Sequence, residues 1–253
     1  MSSFLMFLYG IGSYLAFLMS FLYLIAFVGD LPVPRTIDSG MSGSLSEAVA
    51  VNLLVLSAFA LQHSIMARPA FKRWWTRVVP QTIERSSYVL AASAALGLII
   101  WQWRPLPQPL LWRVEDPVAI LAIQVMFWTG WGVLLASSFM INHFDLFGLS
   151  QVYHRLAGSS PKTQEFRTPL LYRHVRHPLY LGFVIGAWST PRMTLGHLLF
   201  AGGMTTYIFI GIYFEERDLV RQFGERYLRY RESVAMLLPW PKGKSLPNPR
   251  KMG

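Results

Sequence analysis

Arg173-His174-Val175-Arg176-His177-Pro178-Leu179-Tyr180-Leu181-Gly182 is the stretch from which the rest of the chain can be read. Cations and imidazoles crowd against the start of an apolar run that opens at Pro178. Proline suits the first turn of a helix, where its missing N–H would have no partner. The stretch therefore predicts a membrane helix beginning at Pro178. His177 then stands where free backbone N–H groups and the positive helix end face outward, a place suited to a carboxylate or other anion. Tyr180 falls in that first turn, and Gly182 leaves nothing between the helix and whatever packs on it. A second polar cluster, Glu215-Glu216-Arg217-Asp218, closes the next apolar run.

Composition sets the class. Hydrophobic residues make up 53% of the chain and charged residues 14%, too little charge for a soluble globular domain. With no cysteine, disulfides and thiolate metal sites are excluded, and no H-x-x-x-H pair supports a metal, so none is expected. The net charge of +10 does not point to nucleic acid, because the basic residues cluster between apolar runs. The fold expected is all-α: one integral membrane helical bundle over residues 1–253, with about five to six membrane segments and a C-terminal helical hairpin. Nothing in the sequence calls for an obligate protein partner beyond the lipid bilayer.

Four N-terminal spans fill residues 1–140. Phe4–Val28 is long enough to cross a bilayer and too long for a signal-peptide core. Leu45–Met66 follows, ending with Gln62 and His63, polar groups expected to face the bundle interior or the interface. Tyr88–Trp101 is the core of a third span and Val118–Met140 the fourth. Five cations follow span two (Arg68, Lys72, Arg73, Arg77, Arg85) and five follow span four (Arg155, Lys162, Arg167, Arg173, Arg176), against Arg35 alone and the pair Arg104 and Arg113 in the other loops. The C-terminal tail adds further cations, among them Lys242, Lys244, Arg250 and Lys251. The positive-inside rule then places both chain ends and the Arg173–Tyr180 segment on the cytoplasmic side of an inner or plasma membrane.

Residues 141–177 form a cytoplasmic segment too long for a simple connector, and residues 178–214 read as a hairpin. Its arms, Pro178–Trp188 and Met193–Phe214, are unequal. The first is about 16 Å long, roughly half the apolar core, so a kink or fold-back is expected if Glu215 is to meet His177. Gly182 and Gly186 on one arm, with Gly202 and Gly203 on the other, predict close contact between them. Residues 215–253 read as an amphipathic interfacial helix, from Glu215 to Arg231, and a tail, with Leu219, Phe223, Tyr227 and Tyr230 at helical spacing.

Arg176-His177-Pro178-x-Tyr180-x-Gly182, a hydrophobic hairpin and Glu215-Glu216 together resemble the isoprenylcysteine carboxyl methyltransferase and phospholipid N-methyltransferase superfamily. The likeness continues through Phe223-Gly224-x-x-Tyr227-x-x-Tyr230 to Leu238-Pro239, about the last third of the chain. Asn142-His143-Phe144-Asp145-Leu146-Phe147-Gly148-Leu149 resembles the methanethiol S-methyltransferases of the NnrU-like branch. The resemblance implies an integral membrane enzyme that uses S-adenosylmethionine, with cofactor-binding positions at Arg176, His177, Pro178, Tyr180, Gly182, Glu215 and Glu216. It also implies a small thiol acceptor, methanethiol, giving dimethyl sulfide.

The residue types suit that cofactor independently. Its carboxylate needs a cation or a helix start, which Arg176, His177 and Pro178 offer; its ammonium or ribose needs an acid, which Glu215 or Glu216 offers; Tyr180 can wall the adenine or hydrogen-bond. The catalytic candidates are His143, Tyr180 and Glu216. The plainer alternative makes Arg176 and His177 interfacial anchors and Glu215-Glu216 a helix end, although acids at a helix C-terminus oppose the dipole. His143, ending span four among Phe139, Phe144 and Phe147, reads either as an interfacial histidine or as a base on the substrate side. His154 and His174 read as solvated, and His197 as remote from the site. Two other functions remain open: methyl transfer to a phospholipid amine or prenylcysteine carboxylate, and a non-catalytic membrane protein that binds a small ligand or assists a respiratory complex.

Overall fold

A computed structural model describes residues 2–41, 43–159 and 166–239. Five helices are long and apolar enough to cross a membrane: α1 (Ser3–Val28), α2 (Leu45–Ala67), α4 (Gln81–Gln102), α5 (Pro117–Met140) and α9 (Leu195–Phe223). Shorter helices lie between and after them: α3 (Pro69–Trp75), α6 (His143–Leu146), α7 (Leu149–Leu156), α8 (Pro178–Trp188) and α10 (Glu225–Ser233), with a 3₁₀ turn over Leu170–Arg173. The protein is a multi-pass, all-α membrane bundle. Several helix starts are written locally: Ser2, Ser44, Asp116 and Thr194 each accept a first-turn backbone N–H, and Pro117 follows Asp116 where a proline costs no bond.

The bundle centres on a dry cluster that includes Phe27, Ile99, Trp103, Trp131 and Phe200, all nearly inaccessible. The outer face is also apolar, with Met19, Leu54 and Val118 well exposed, as a surface solvated by lipid chains requires. α1, α2, α4 and α5 alternate in direction, and α9 runs the same way as α5, because α8 and residues 189–194 together make the crossing between them. The ends that follow α2 and α5 therefore lie with the start of α8 and the C-terminal part of α9, at one end of the bundle. Lys162, Lys242, Lys244, Arg250 and Lys251 fall outside the described residues.

Three expectations need correction. The hairpin needs neither kink nor fold-back. α8 ends at Trp188, about 16 Å from its start, while residues 195–216 of α9 run roughly 33 Å. Residues 189–194 make up the difference as largely extended chain, rising up to about 3.3 Å per residue. Its strand β2 (Arg192–Thr194) pairs antiparallel with β1 (Leu110–Arg113), in the loop that joins α4 to α5. Val114 N–H also donates to Pro191 O at 2.8 Å, and the Trp112 indole to Thr190 O at 3.1 Å, so the non-helical arm keeps partners for its backbone.

The glycines of α8 pack on α5, not on α9. A β-carbon at Gly130 would lie 2.4 Å from Gly186 N, and one at Gly182 would lie 2.5 Å from Leu134 N. Only glycine permits this approach. Gly203 instead meets Leu56, and Gly202 meets nothing within 4 Å.

Glu215 does not end a helix. α9 continues through the polar cluster to Phe223 and stops at Gly224, whose φ of +55° is the left-handed conformation that glycine adopts freely. Residues 215–223 contain no breaker, so the change from apolar to polar marks where the helix leaves the membrane rather than where it ends. The separate helix is only α10, and its Tyr227 and Tyr230 are buried against Phe166, Leu219, Val220 and Phe223 instead of lying on an interface.

Candidate active site

The start of α8 is held from behind by the chain after α10. Arg176 N–H donates to Ala235 O at 2.8 Å and His177 N–H to Met236 O at 3.1 Å. This places Arg176 and His177, both buried, beneath α9. Arg176 Nε donates to Glu216 Oε1 at 2.8 Å, and its Nη1 donates to the carbonyls of Arg231 and Val234 at 3.0 and 2.6 Å. His177 Nε2 lies 3.1 Å from the same Oε1; a carboxylate only accepts, so Nε2 carries the hydrogen. Glu216 is thus enclosed, its side chain 13% exposed, and its cationic partner Arg176 makes three hydrogen bonds within the protein.

Glu215, one position earlier and about 100° around the helix, has a different situation. It accepts from the Tyr180 hydroxyl at 2.9 Å and keeps 43% of its side chain exposed. His177 Nδ1 stands 3.9 Å from it, and the His177 and Tyr180 rings stack with centroids 5.7 Å apart. The structure therefore gathers Arg176, His177, Tyr180, Glu215 and Glu216, as the sequence suggested, and divides the two acids into a committed one and an open one. Pro178 is buried at the first position of α8, and Leu181 N–H closes the first turn on His177 O. Gly182 serves the α5 contact described above.

His143 does not join this group. Its Nε2 lies 2.9 Å from the Tyr14 hydroxyl and its Nδ1 2.8 Å from Ser138 Oγ, and the ring stacks on Phe139 at 4.2 Å. Ser138 Oγ donates its one hydrogen to Leu135 O, so it accepts from Nδ1–H, and Nε2 accepts from Tyr14. Burial holds the imidazole below its ordinary pKa, consistent with a neutral ring. A general base needs an acceptor nitrogen free to meet substrate, and neither ring nitrogen is free. His143 thus ties α1 to the α5–α6 corner.

His174 lies exposed, His154 is half-buried with its Nδ1 2.8 Å from Ser159 Oγ, and His197 is buried at the opposite end, on Ala187 O at 2.7 Å. Among the described residues no cluster of three or more His, Asp or Glu could hold a metal ion. Two features escaped the sequence reading. Arg68 at the end of α2 pairs with Asp218 at 3.2 Å, fastening α2 to α9 beside the site. His63 Nε2 meets the Tyr88 hydroxyl at 2.7 Å, with Tyr207 edge-on to its ring. The misplaced polarity of Gln62 and His63 was the available signal; tyrosines inside apolar runs give none.

Residues 51–233 match the family described as NnrU protein. The chain belongs to the NnrU family. The match takes in the whole of the Arg176–Glu216 cluster but not α1, which carries Tyr14. Among its relatives, a methanethiol S-methyltransferase of Mycobacterium tuberculosis is 54% identical over 95% of this chain and 98% of its own length. Methanethiol S-methyltransferase 1 of Bradyrhizobium diazoefficiens is 53% identical over 94% of this chain and 83% of its own. More distantly, nurim of Danio rerio is 30% identical over 70% of this chain and 66% of its own. No solved structure matches.

Proposed function

We propose that this NnrU-family protein transfers the methyl group of S-adenosylmethionine to methanethiol, forming dimethyl sulfide. The observation that carries the reading is the division between Glu215 and Glu216, found on the likeness to proteins named for that reaction. Glu216 fixes Arg176 and His177, while Glu215 presents a half-exposed carboxylate with one hydrogen bond already aimed by Tyr180. An oriented, accessible carboxylate next to a helix start fits the charges of an amino-acid cofactor: Glu215 would hold the ammonium or ribose, and the first turn of α8 its carboxylate.

When bound, S-adenosylmethionine supplies a methyl group activated by a sulfonium. The chain's own residues do the positioning. Glu216 sets the height of the α8 start by binding the side chains that precede it. Tyr180 fixes the Glu215 carboxylate in one rotamer, so that less ordering is left for the moment of binding. The surrounding apolar helices keep water from competing with a small thiol. The cation-rich segments after α2 and α5 lie at the same end of the bundle as this cluster, which supports a cytoplasm-facing site under the positive-inside rule.

Headspace gas chromatography of purified protein in detergent tests the reading. Methanethiol with S-adenosylmethionine should yield dimethyl sulfide, and omission of either should abolish it. A preparation that binds the cofactor and forms no dimethyl sulfide would overturn the acceptor.

A further inference from the structure

One face of α9 carries Tyr207, Gly211 and Glu215 at successive four-residue steps. Glu215 at one end of that row meets Tyr180. Tyr207 at the other end meets His63 of α2, ring centroids 6.2 Å apart, and accepts from Ser64 Oγ at 3.4 Å. Between them, a β-carbon at Gly211 would find no atom within 4 Å, although the position is partly buried. The row therefore borders open space one helical turn from the carboxylate assigned to the cofactor. Tyr88 and Tyr207 are both close enough to Tyr180 to interact with it electrostatically, so this space and the Glu215 cluster belong to one region.

His63 borders that region with an unusual hydrogen-bond pattern. Nε2 is engaged by the Tyr88 hydroxyl at 2.7 Å, while Nδ1 is buried and has no partner. Phe59 stacks on the ring with centroids 5.3 Å apart, fixing its plane. A buried nitrogen without a partner is costly in a structural histidine and is what a proton acceptor needs. If Nε2–H donates to the Tyr88 oxygen, Nδ1 carries the lone pair. The charged groups facing this corner are Arg85 and Glu84 of α4, Arg68 at the end of α2 and Glu215 of α9.

We propose that the space at Gly211 is the methanethiol pocket and that His63 Nδ1 takes the thiol proton, with Tyr88 holding the imidazole in the required tautomer. This rests on the methyl-transfer reading above. The S–H bond of methanethiol breaks and its proton passes to Nδ1. The sulfur lone pair forms the new S–CH₃ bond as the sulfonium–methyl bond breaks, its electron pair staying on the departing thioether. Dimethyl sulfide, S-adenosylhomocysteine and one proton result, the proton leaving His63 for solvent.

Two substitutions test the two halves. Gly211→Leu fills the space with a better helix former, so the melting temperature should hold or rise. Its calorimetric affinity for S-adenosylmethionine should stay within twofold, while KM for methanethiol rises at least tenfold. His63→Gln should lower kcat by about 10²–10⁴-fold at neutral pH, the usual contribution of a general base, again with cofactor affinity kept. The loss should shrink as pH approaches the thiol range, about 8.5 and above. Tyr88→Phe, which keeps the ring packing, should reproduce a smaller part of it. A readout without turnover is the ultraviolet thiolate absorbance of methanethiol mixed with protein and S-adenosylhomocysteine. That signal should titrate at least one pH unit higher in His63→Gln than in the parent.

Parent-like KM in Gly211→Leu would overturn the pocket. A thiolate signal that titrates identically in parent and His63→Gln, or loss of cofactor affinity in that variant, would overturn the base. Absence of dimethyl sulfide from the parent itself would instead remove the methyl-transfer reading on which both stand.

Discussion

Glu215 and Glu216 are neighbours of identical chemistry, and the structure predicts opposite consequences for removing them. Glu216 Oε1 receives Arg176 Nε at 2.8 Å and His177 Nε2 at 3.1 Å, with side-chain exposures of 13%, 7% and 4% for the three residues. Truncation in Glu216→Ala leaves a buried guanidinium without its counter-charge, a loss of about 3–5 kcal/mol. For a chain of this size that is a drop in melting temperature of roughly 6–20 °C. Glu215→Gln removes a charge from a side chain 43% exposed that accepts one hydrogen bond, so stability should change by less than about 0.5 kcal/mol. Its cost falls on the cofactor: losing a charge-assisted contact of about 1.5–3 kcal/mol weakens binding roughly tenfold to a hundredfold. Thermal unfolding in detergent and calorimetric titration with S-adenosylmethionine separate the two. A Glu215→Gln protein that melts early and binds normally, beside a Glu216→Ala protein that melts normally, would refute the division of roles.

Three further outcomes follow from the same geometry. Gly182→Ala puts a β-carbon 2.5 Å from Leu134 N and should lose about 1–3 kcal/mol of stability on thermal unfolding, whereas Gly202→Ala, which meets nothing, should lose none. Burial lowers the pKa of His143, so the folded protein binds its proton less readily than the unfolded chain does. Its contribution is complete above the unfolded value of about 6.5 and is lost as pH falls through and below it. Melting temperature should therefore fall more steeply between pH 7.5 and 5 in the parent than in His143→Gln, and parallel curves would remove His143 as the source. A periplasm-active reporter fused after Gly253 should be silent and one inserted near Ser39 active; the reverse pattern would place the cluster on the wrong side of the membrane.

The sequence by itself determined the class of fold and the membership of the central cluster. Membrane helices must satisfy their own backbone groups over a fixed thickness, so the apolar runs mark them with little help from context. Pro178 marks a helix start because it lacks an N–H, and Ser44 because its hydroxyl accepts from Glu47 N–H within the first turn. Arg176, His177, Tyr180, Glu215 and Glu216 were legible because charge and hydroxyl at the edge of lipid have few other uses. What only the tertiary structure decided were matters of distance between segments remote in the chain. Nothing local says that Gly182 faces Gly130 rather than Gly203, since both partners are glycines in apolar helices. The extended residues 189–194 bring Glu216 level with His177, and their partner strand lies some eighty residues earlier. The same limit hid the roles of the histidines. His143 stood in the more suggestive motif, yet Tyr14 and Ser138 occupy both its nitrogens, while His63 keeps one nitrogen unpartnered beside a gap that a glycine leaves in another helix. Whether an imidazole can accept a proton depends on what surrounds each nitrogen, and helices far apart in sequence supply those surroundings.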